Sequence, residues 1–216
     1  MKVLNISDTH GLHLAWEKIF PMPEVDMIIH GGDLTNVGAI HEMNQFMYWF
    51  KNLDIEHKVM IAGNHDKGLD NYNRYTMLDM IQGIDNLHYL EDSGVEIEGI
   101  KFWGSPMTPP FFNWAFMREP EDIVKHWDAI PDDTDVLITH GPANGILDWV
   151  DYGGQGSVGC PYLLETIQER VKPKYHIFGH IHEMYGTREV GETTHICASI
   201  LDGRYHPVRS GIIIDL

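Results

Sequence analysis

Five short apolar runs, each closing on a cluster of potential ligand residues, limit most strongly what this chain can fold into. Val3-Leu4-Asn5-Ile6 leads to Asp8-Thr9-His10, Met27-Ile28-Ile29 to Gly32-Asp33, and Lys58 to Ala62 to Gly63-Asn64-His65-Asp66. Farther on, Val136-Leu137-Ile138 leads to Thr139-His140-Gly141, and Tyr175 to Phe178 leads to Gly179-His180-Ile181-His182. Runs of this length, rich in β-branched and apolar residues, read as buried strands. Strands that carry Asp, His and Asn at their carboxyl ends would bring them to one edge of a sheet, where open α/β folds bind ligands.

The segments between the runs keep a βαβ rhythm. Leu12 to Phe20 reads as a short helix stopped by Pro21 and Pro23, and Ile40, Met43, Phe46, Met47 and Phe50 recur at helical spacing between Gly38 and Leu53. A helix is predicted from Asp70 to Ile81, then short strands at 87–90, 95–98 and 101–104 with turns at Ser93-Gly94 and Glu98-Gly99. Ser105 to Phe116, with Pro106, Pro109 and Pro110, reads as an ordered loop before a helix from Glu119 to Ala129. Pro142 to Gly159 is long for a connection, and its glycine-rich centre, Gly153-Gly154-Gln155-Gly156, reads as a lid or a surface excursion. Pro161 opens a helix to Val171, a hairpin pairs 184–189 with 193–198, and a last strand spans 211–216.

With 216 residues, 43% of them hydrophobic, the chain can bury one sizeable core, so a single domain over 1–216 is expected. A formal charge of -17 would repel a polyanion, which argues against long nucleic acid and leaves small phosphorylated substrates. Cys160 and Cys197 form no CxxC pair, so neither a disulfide framework nor a zinc knuckle is indicated. The first residues run straight into a strand without a leader pattern, and no apolar stretch is long enough to span a bilayer. The expected location is the cytoplasm, with no membrane partner.

A catalytic site for two divalent cations needs hard or borderline ligands, a group that bridges both ions, and open positions for water and substrate. Asp8, His10 and His182 can hold one ion and Asn64, His140 and His180 the other, with the Asp33 carboxylate spanning the ~3.5–4 Å between them. Asp8 with His10, and His180 with His182, stand at i, i+2, which puts each pair on one face of an extended segment. Singly, each position has a structural explanation as well, and Asp33 could be a turn or cap residue. His13, His57, His88, His126 and His206 lack such a context and read as structural or exposed.

The ordered set Asp-x-His, Gly-Asp, Gly-Asn-His-Asp, Thr-His-Gly and Gly-His-x-His resembles the calcineurin-like metallophosphoesterase superfamily. Phe102 to Pro109, Asp135 to Pro142, Val158 to Cys160 and Phe178 to Gly186 are similar to its MPPED-type branch, near the class III cyclic nucleotide phosphodiesterases. The resemblance implies an α/β fold, a four-layer α-β-β-α sandwich of two mixed β-sheets flanked by helices, with a dinuclear centre of Mn, Fe or Zn. It implies Asp8, His10, Asp33 and His182 on one metal and Asp33, Asn64, His140 and His180 on the other. It also implies His65 as the catalytic acid beside the scissile bond, oriented by Asp66. One departure stands out. Protein phosphatases of the superfamily continue the second motif to a phosphate-clamping arginine, whereas this chain reads Gly32-Asp33-Leu34-Thr35-Asn36-Val37-Gly38. A phosphomonoester dianion gains more from that clamp than a diester does, so its absence favours phosphodiesters, with Lys67 a possible substitute.

The expected reaction is hydrolysis of a small phosphodiester, a cyclic nucleotide among the candidates, by a metal-held hydroxide, with His65 protonating the leaving alkoxide. Trp103, Phe111, Phe112 and Trp114 could offer a nucleobase an aromatic face or could instead close the core. Cys160, just before Pro161, reads as a packed thiol rather than a reactive one. Alternatives are a phosphomonoesterase, a nucleotide pyrophosphatase at the same site, or a scaffold on the same fold. A scaffold would be expected to have lost a ligand or the acid, and none of these positions is substituted.

Overall fold

The computed structural model describes residues 1–71, 73–151 and 156–216. In chain order the elements are β1 (Lys2–Ile6), α1 (His13–Ile19), β2 (Met27–His30), α2 (Ile40–Lys51), β3 (His57–Met60), α3 (Arg74–Ile81), β4 (Leu87–Tyr89), β5 (Ser93–Ile97) and β6 (Ile100–Ser105). Then come α4 (Pro120–Asp128), β7 (Val136–Thr139), β8 (Trp149–Val150), β9 (Gly156–Ser157), α5 (Pro161–Glu165), β10 (Tyr175–Phe178), β11 (Gly186–Val190), β12 (Thr193–Cys197) and β13 (Ile212–Asp215). The predicted helix at 161–171 begins as α5 and widens into a π-helical turn, Thr166–Val171, closed by Lys172 in the left-handed region. The helix expected from Asp70 starts later, because Lys67–Asp70 forms a separate 3-10 turn. Ser93-Gly94 is not a turn but the start of β5, where Gly94 pairs with Trp103. The stretch 153–155 lies outside the described residues, while Gly156 enters β9, paired with β8.

Two mixed sheets result, ordered β13-β1-β2-β3-β4 and β11-β12-β10-β7-β6-β5, with antiparallel strands at their edges. Period-two alternation assigns the faces. Val3, Met27, Ile29, Val59 and Ile61 of the first sheet meet Phe102, Val136, Ile138, Ile177 and Ile196 of the second in one buried layer. The alternate residues Leu4, Ile28 and Met60 pack outward with Trp16, Met43, Phe46 and Phe50 of α1 and α2, and Leu137 of the second sheet faces the α4 and α5 side, with Trp127 and Leu163. The sheets therefore stack as the inner layers of a four-layer α-β-β-α sandwich.

The ligand-bearing strand ends belong to two sheets rather than one, since β1, β2 and β3 lie in the first and β7 and β10 in the second. Each sheet has one helix-covered face, so its other apolar face must be buried against the partner sheet. A bridge between Ser7 and Ser199 ties the sheets together just below the clusters. Glu42 fixes the entry to α2, its carboxylate accepting from the N–H groups of Asn36, Val37 and Ala39. Among the described residues no helix is long and apolar enough to cross a membrane. Ile177 lies at the centre of the inter-sheet layer, so Ile177→Ala is expected to cost about 2–5 kcal/mol in urea unfolding; a loss under about 1 kcal/mol would show that the sheets do not form a joint core.

Candidate metal centre

Left-handed backbone, not extended chain, aims the candidate ligands. Asp8, His10, Asp33 and His180 have φ of 58°, 44°, 55° and 68°, so the same-face reading of the i, i+2 pairs does not hold. Asp and His tolerate this region better than branched residues do, at a cost of order 1–3 kcal/mol each. Crossed backbone bonds hold the turns, from Asp8 N to Gly32 O and from His10 N to Asp33 O, both 3.0 Å. Gly63 and Gly179 let the chain pass close behind the ligands: a Cβ on Gly63 would strike Asp33 Oδ1 and His140, and one on Gly179 would strike Asp8 Oδ2.

Two groups of donors form. In the first, His10 Nε2 lies 3.2 Å from His182 Nε2 and 4.0 Å from Asp8 Oδ1, which is 3.5 Å from His182 Nε2. In the second, His140 Nε2 lies 2.9 Å from Asn64 Oδ1, and the His140 and His180 ring centroids are 5.0 Å apart. Asp33 Oδ2 stands between them, 3.6 Å from His10 Nε2 and 3.3 Å from His140 Nε2. The candidate ligands lie around one centre: Asp8, His10 and His182 come together, while Asp33 stands with Asp8 and His140 on one side and with His10 and His65 on the other. The donors suit divalent ions: carboxylate, amide and imidazole, with His140 and His182 donating Nδ1–H to the carbonyls of Gly31 and Asp202, which turns Nε2 to the centre. The buried Nδ1 of His10 has no such partner among the described residues.

A supporting layer was not legible from the motifs. Ser199 Oγ donates to Asp8 Oδ2 at 2.7 Å, and the His180 N–H reaches both Asp8 oxygens at 3.0 and 3.1 Å. Under each group lies the same device: His30 Nε2 donates to Thr9 Oγ1 (3.0 Å), which donates to Leu34 O, and His176 Nε2 donates to Thr139 Oγ1 (2.8 Å), which donates to Gly141 O. Burial depresses the pKa of His30 to about 3 and holds His176 well below the usual range, so both imidazoles stay neutral. Asp66 does not orient His65. Its carboxylate accepts instead from Leu34 N, Thr35 N, Thr35 Oγ1 and Gly63 N, joining two ligand loops, while His65 Nδ1 donates to Asn36 O at 2.6 Å.

The calcineurin-like phosphoesterase family model matches residues 1–184. This chain belongs to that family. It is 38% identical to human metallophosphoesterase domain-containing protein 1 over 98% of this chain and 69% of that one. A UPF0046 protein of Caenorhabditis elegans is 36% identical over 98% of this chain and 79% of its own. The fold also matches the crystal structure of the Thermus thermophilus protein TT1561, with a TM-score of 0.67 at 14% identity, covering 91% of this chain and 88% of that chain. Calcineurin-like phosphoesterases are metal-dependent, and the clustered carboxylates and imidazoles fit that chemistry.

The electrostatics of this phosphoesterase pair each charged histidine with a carboxylate. Burial alone would lower His140 and His182, but the charges and hydrogen bonds of Asp33 and Asp8 raise both to about 9. Burial opposes ionisation of Asp8 and Asp33 too, yet hydrogen bonds and charge from His182 and His140 hold them below the carboxylate range. Burial depresses His10 and His180 to about 4, so each group combines one cationic and one neutral ring. Burial and then the charge of Asp33 push Asp66 up to about 6.

A cleft of about 810 Å³ opens onto both groups, lined by Asp33, Asn64, His65, His180 and His182, by Pro109, Pro110, Phe111, Phe112 and Trp114 on one side, and by Val150, Val158 and Tyr205. Trp114 stacks on His65 (centroids 4.2 Å, 24°), and Lys67 Nζ lies 3.9 Å over the Trp114 ring. Trp103 does not line the cleft; with Phe102 facing the inter-sheet core, alternation turns Trp103 to the opposite face, beside Gly94. Cys160 is buried and accepts from Trp127 Nε1, the packed thiol expected. Tyr205 was missed: its ring lies 4.8 Å from His10 and 5.1 Å from His182, and no motif surrounds it.

A histidine pKa raised from 6.5 to about 9 by folding contributes stability that is complete below pH 6.5 and lost as pH climbs to about 9. The metal-free protein is therefore expected to lose melting temperature between pH 6.5 and 9, and divalent-ion binding, which must displace those protons, to tighten over the same range. A flat metal-free profile would contradict the charge assignment. Asp66→Ala strands buried N–H donors at about 1–3 kcal/mol each and is expected to lower both stability and metal content, measured by urea unfolding and elemental analysis.

Proposed function

We propose that this chain hydrolyses a small phosphodiester bearing a planar aromatic group, a cyclic nucleotide being a suitable case, at a two-metal centre. The observation that carries the reading is the position of Asp33 Oδ2, within 3.6 Å of His10 Nε2 and 3.3 Å of His140 Nε2, where one carboxylate serves both donor groups. In this reading Asp8, His10 and His182 would hold one ion, Asn64, His140 and His180 the other, and Asp33 would serve both. Mn, Fe and Zn all suit such donors. Bound divalent ions supply Lewis acidity, which lowers the pKa of water from about 15.7 towards about 7 and offsets charge building on phosphoryl oxygens.

The chain's own residues do the rest. His65 sits at the cleft with Nδ1–H committed to Asn36 O, so in its imidazolium form the Nε2 proton is the one it can give to the departing alkoxide. Trp114 fixes the ring by stacking. Phe111 and Phe112, edge to face at 4.6 Å, offer a base a surface worth about 1–3 kcal/mol. Two features support a diester over a monoester: the second motif carries no arginine, and Lys67 rests on the Trp114 ring. A scaffold role has no observation in its favour.

The test is a metal-reconstituted comparison of bis-p-nitrophenyl phosphate, p-nitrophenyl phosphate and 2′,3′- and 3′,5′-cyclic nucleotides. Diesters are expected to turn over faster, and His65→Ala to keep its metal while losing about 10²–10⁴-fold in rate, most severely for poor leaving groups. A preference for the monoester would overturn the diester assignment, and unchanged turnover in His65→Ala on poor leaving groups would remove its role as acid.

A further inference from the structure

We infer that Tyr205 is a phosphoryl-oxygen donor of this site, its phenol hydroxyl taking the place of the cationic clamp that the second motif lacks. The inference rests on the phosphoesterase reading above but not on the choice between diester and monoester.

Three observations converge on this residue. Its ring packs against His10 and His182, with centroids 4.8 and 5.1 Å away, and lines the cleft beside the first donor group. It lines the cleft together with Asp33 and His182, and its hydroxyl makes no hydrogen bond among the described residues, so it is free to donate. Its backbone is held at φ 63°, an unfavourable conformation for an aromatic residue and one expected where the surroundings impose it. Those surroundings are specific: Tyr205 N donates to Asp202 O, the Asp202 carboxylate accepts from Arg204 N and His206 N, and Asp202 O also receives the Nδ1–H of His182. The loop that carries the phenol is thereby fastened to a candidate ligand.

The cleft leaves few other donors. Among its described lining residues there is no lysine or arginine. Arg209 is spent on the carbonyls of His182, Ser199 and Leu201, and Arg118 bonds Met117 O. A neutral donor suits a monoanionic diester, because it stabilises charge developing on a non-bridging oxygen without the ground-state attraction for a dianion that a guanidinium provides.

Tyr205→Phe deletes only the hydroxyl and is measured beside Tyr205→Leu on manganese-loaded protein. The expected result for Tyr205→Phe is unchanged manganese content and melting temperature, kcat/KM reduced about 10- to 100-fold, and a loss uniform across aryl diesters of differing leaving-group pKa. Uniformity separates it from His65→Ala, whose loss grows with leaving-group pKa. Calorimetric titration with inorganic phosphate is read in parallel, with at least about fivefold weaker binding expected in Tyr205→Phe. That arm decides the matter even if the wild type prefers monoesters or turns over none of the substrates. Kinetics and phosphate affinity both within about twofold of wild type would overturn the inference, as would loss of manganese from Tyr205→Phe, which would make the tyrosine part of the ligand frame.

Discussion

One carboxylate organises this molecule. Asp33 sits at the end of the strand β2 loop with a left-handed backbone and lies between two sets of imidazoles, near enough to both to be shared. Loops from both sheets bring imidazoles close to it, His10 Nε2 at 3.6 Å from the first and His140 Nε2 at 3.3 Å from the second, an arrangement that makes chemical sense only if positive charge gathers there. Within the protein alone that charge comes from His140 and His182, which burial would otherwise keep neutral. The same balance is what divalent ions would take over, with ligands that must give up their protons to bind.

The sandwich exists around that requirement. Each sheet covers one face with helices and the other with its partner, so the strand ends of both open at the same side of the molecule. Strained backbone at Asp8, His10, Asp33 and His180 is tolerated because the surroundings over-determine it: paired backbone bonds between loops, the Asp66 carboxylate spanning Leu34 to Gly63, and a neutral histidine under each donor group. Precision in the ligands therefore comes from a rigid polar layer beneath them, as is general for metal sites.

Much of this was legible in the amino-acid sequence because strand ends and ligand types are local signals. Apolar runs marked β1, β2, β3, β7 and β10, and the residues just beyond them are those that converge. What could not be read depends on contacts between distant segments. Ser199 reaches Asp8 across 191 residues, Asp66 bonds loops rather than its neighbour His65, and the single face expected of Asp8 and His10 gives way to left-handed turns. Trp103 and Trp114 look alike in sequence, yet strand alternation sends the first to the outer face of the second sheet while a loop sets the second on His65. Tyr205 carries no motif at all, and its approach to His10 and His182 is a matter of tertiary packing.

Anomalous scattering from crystals soaked in manganese tests most directly whether Asp33 is a shared ligand. Two peaks about 3.5–4 Å apart, each within bonding reach of an Asp33 oxygen, are the predicted result. A single peak, or two peaks of which one has no Asp33 oxygen in its coordination shell, would contradict it.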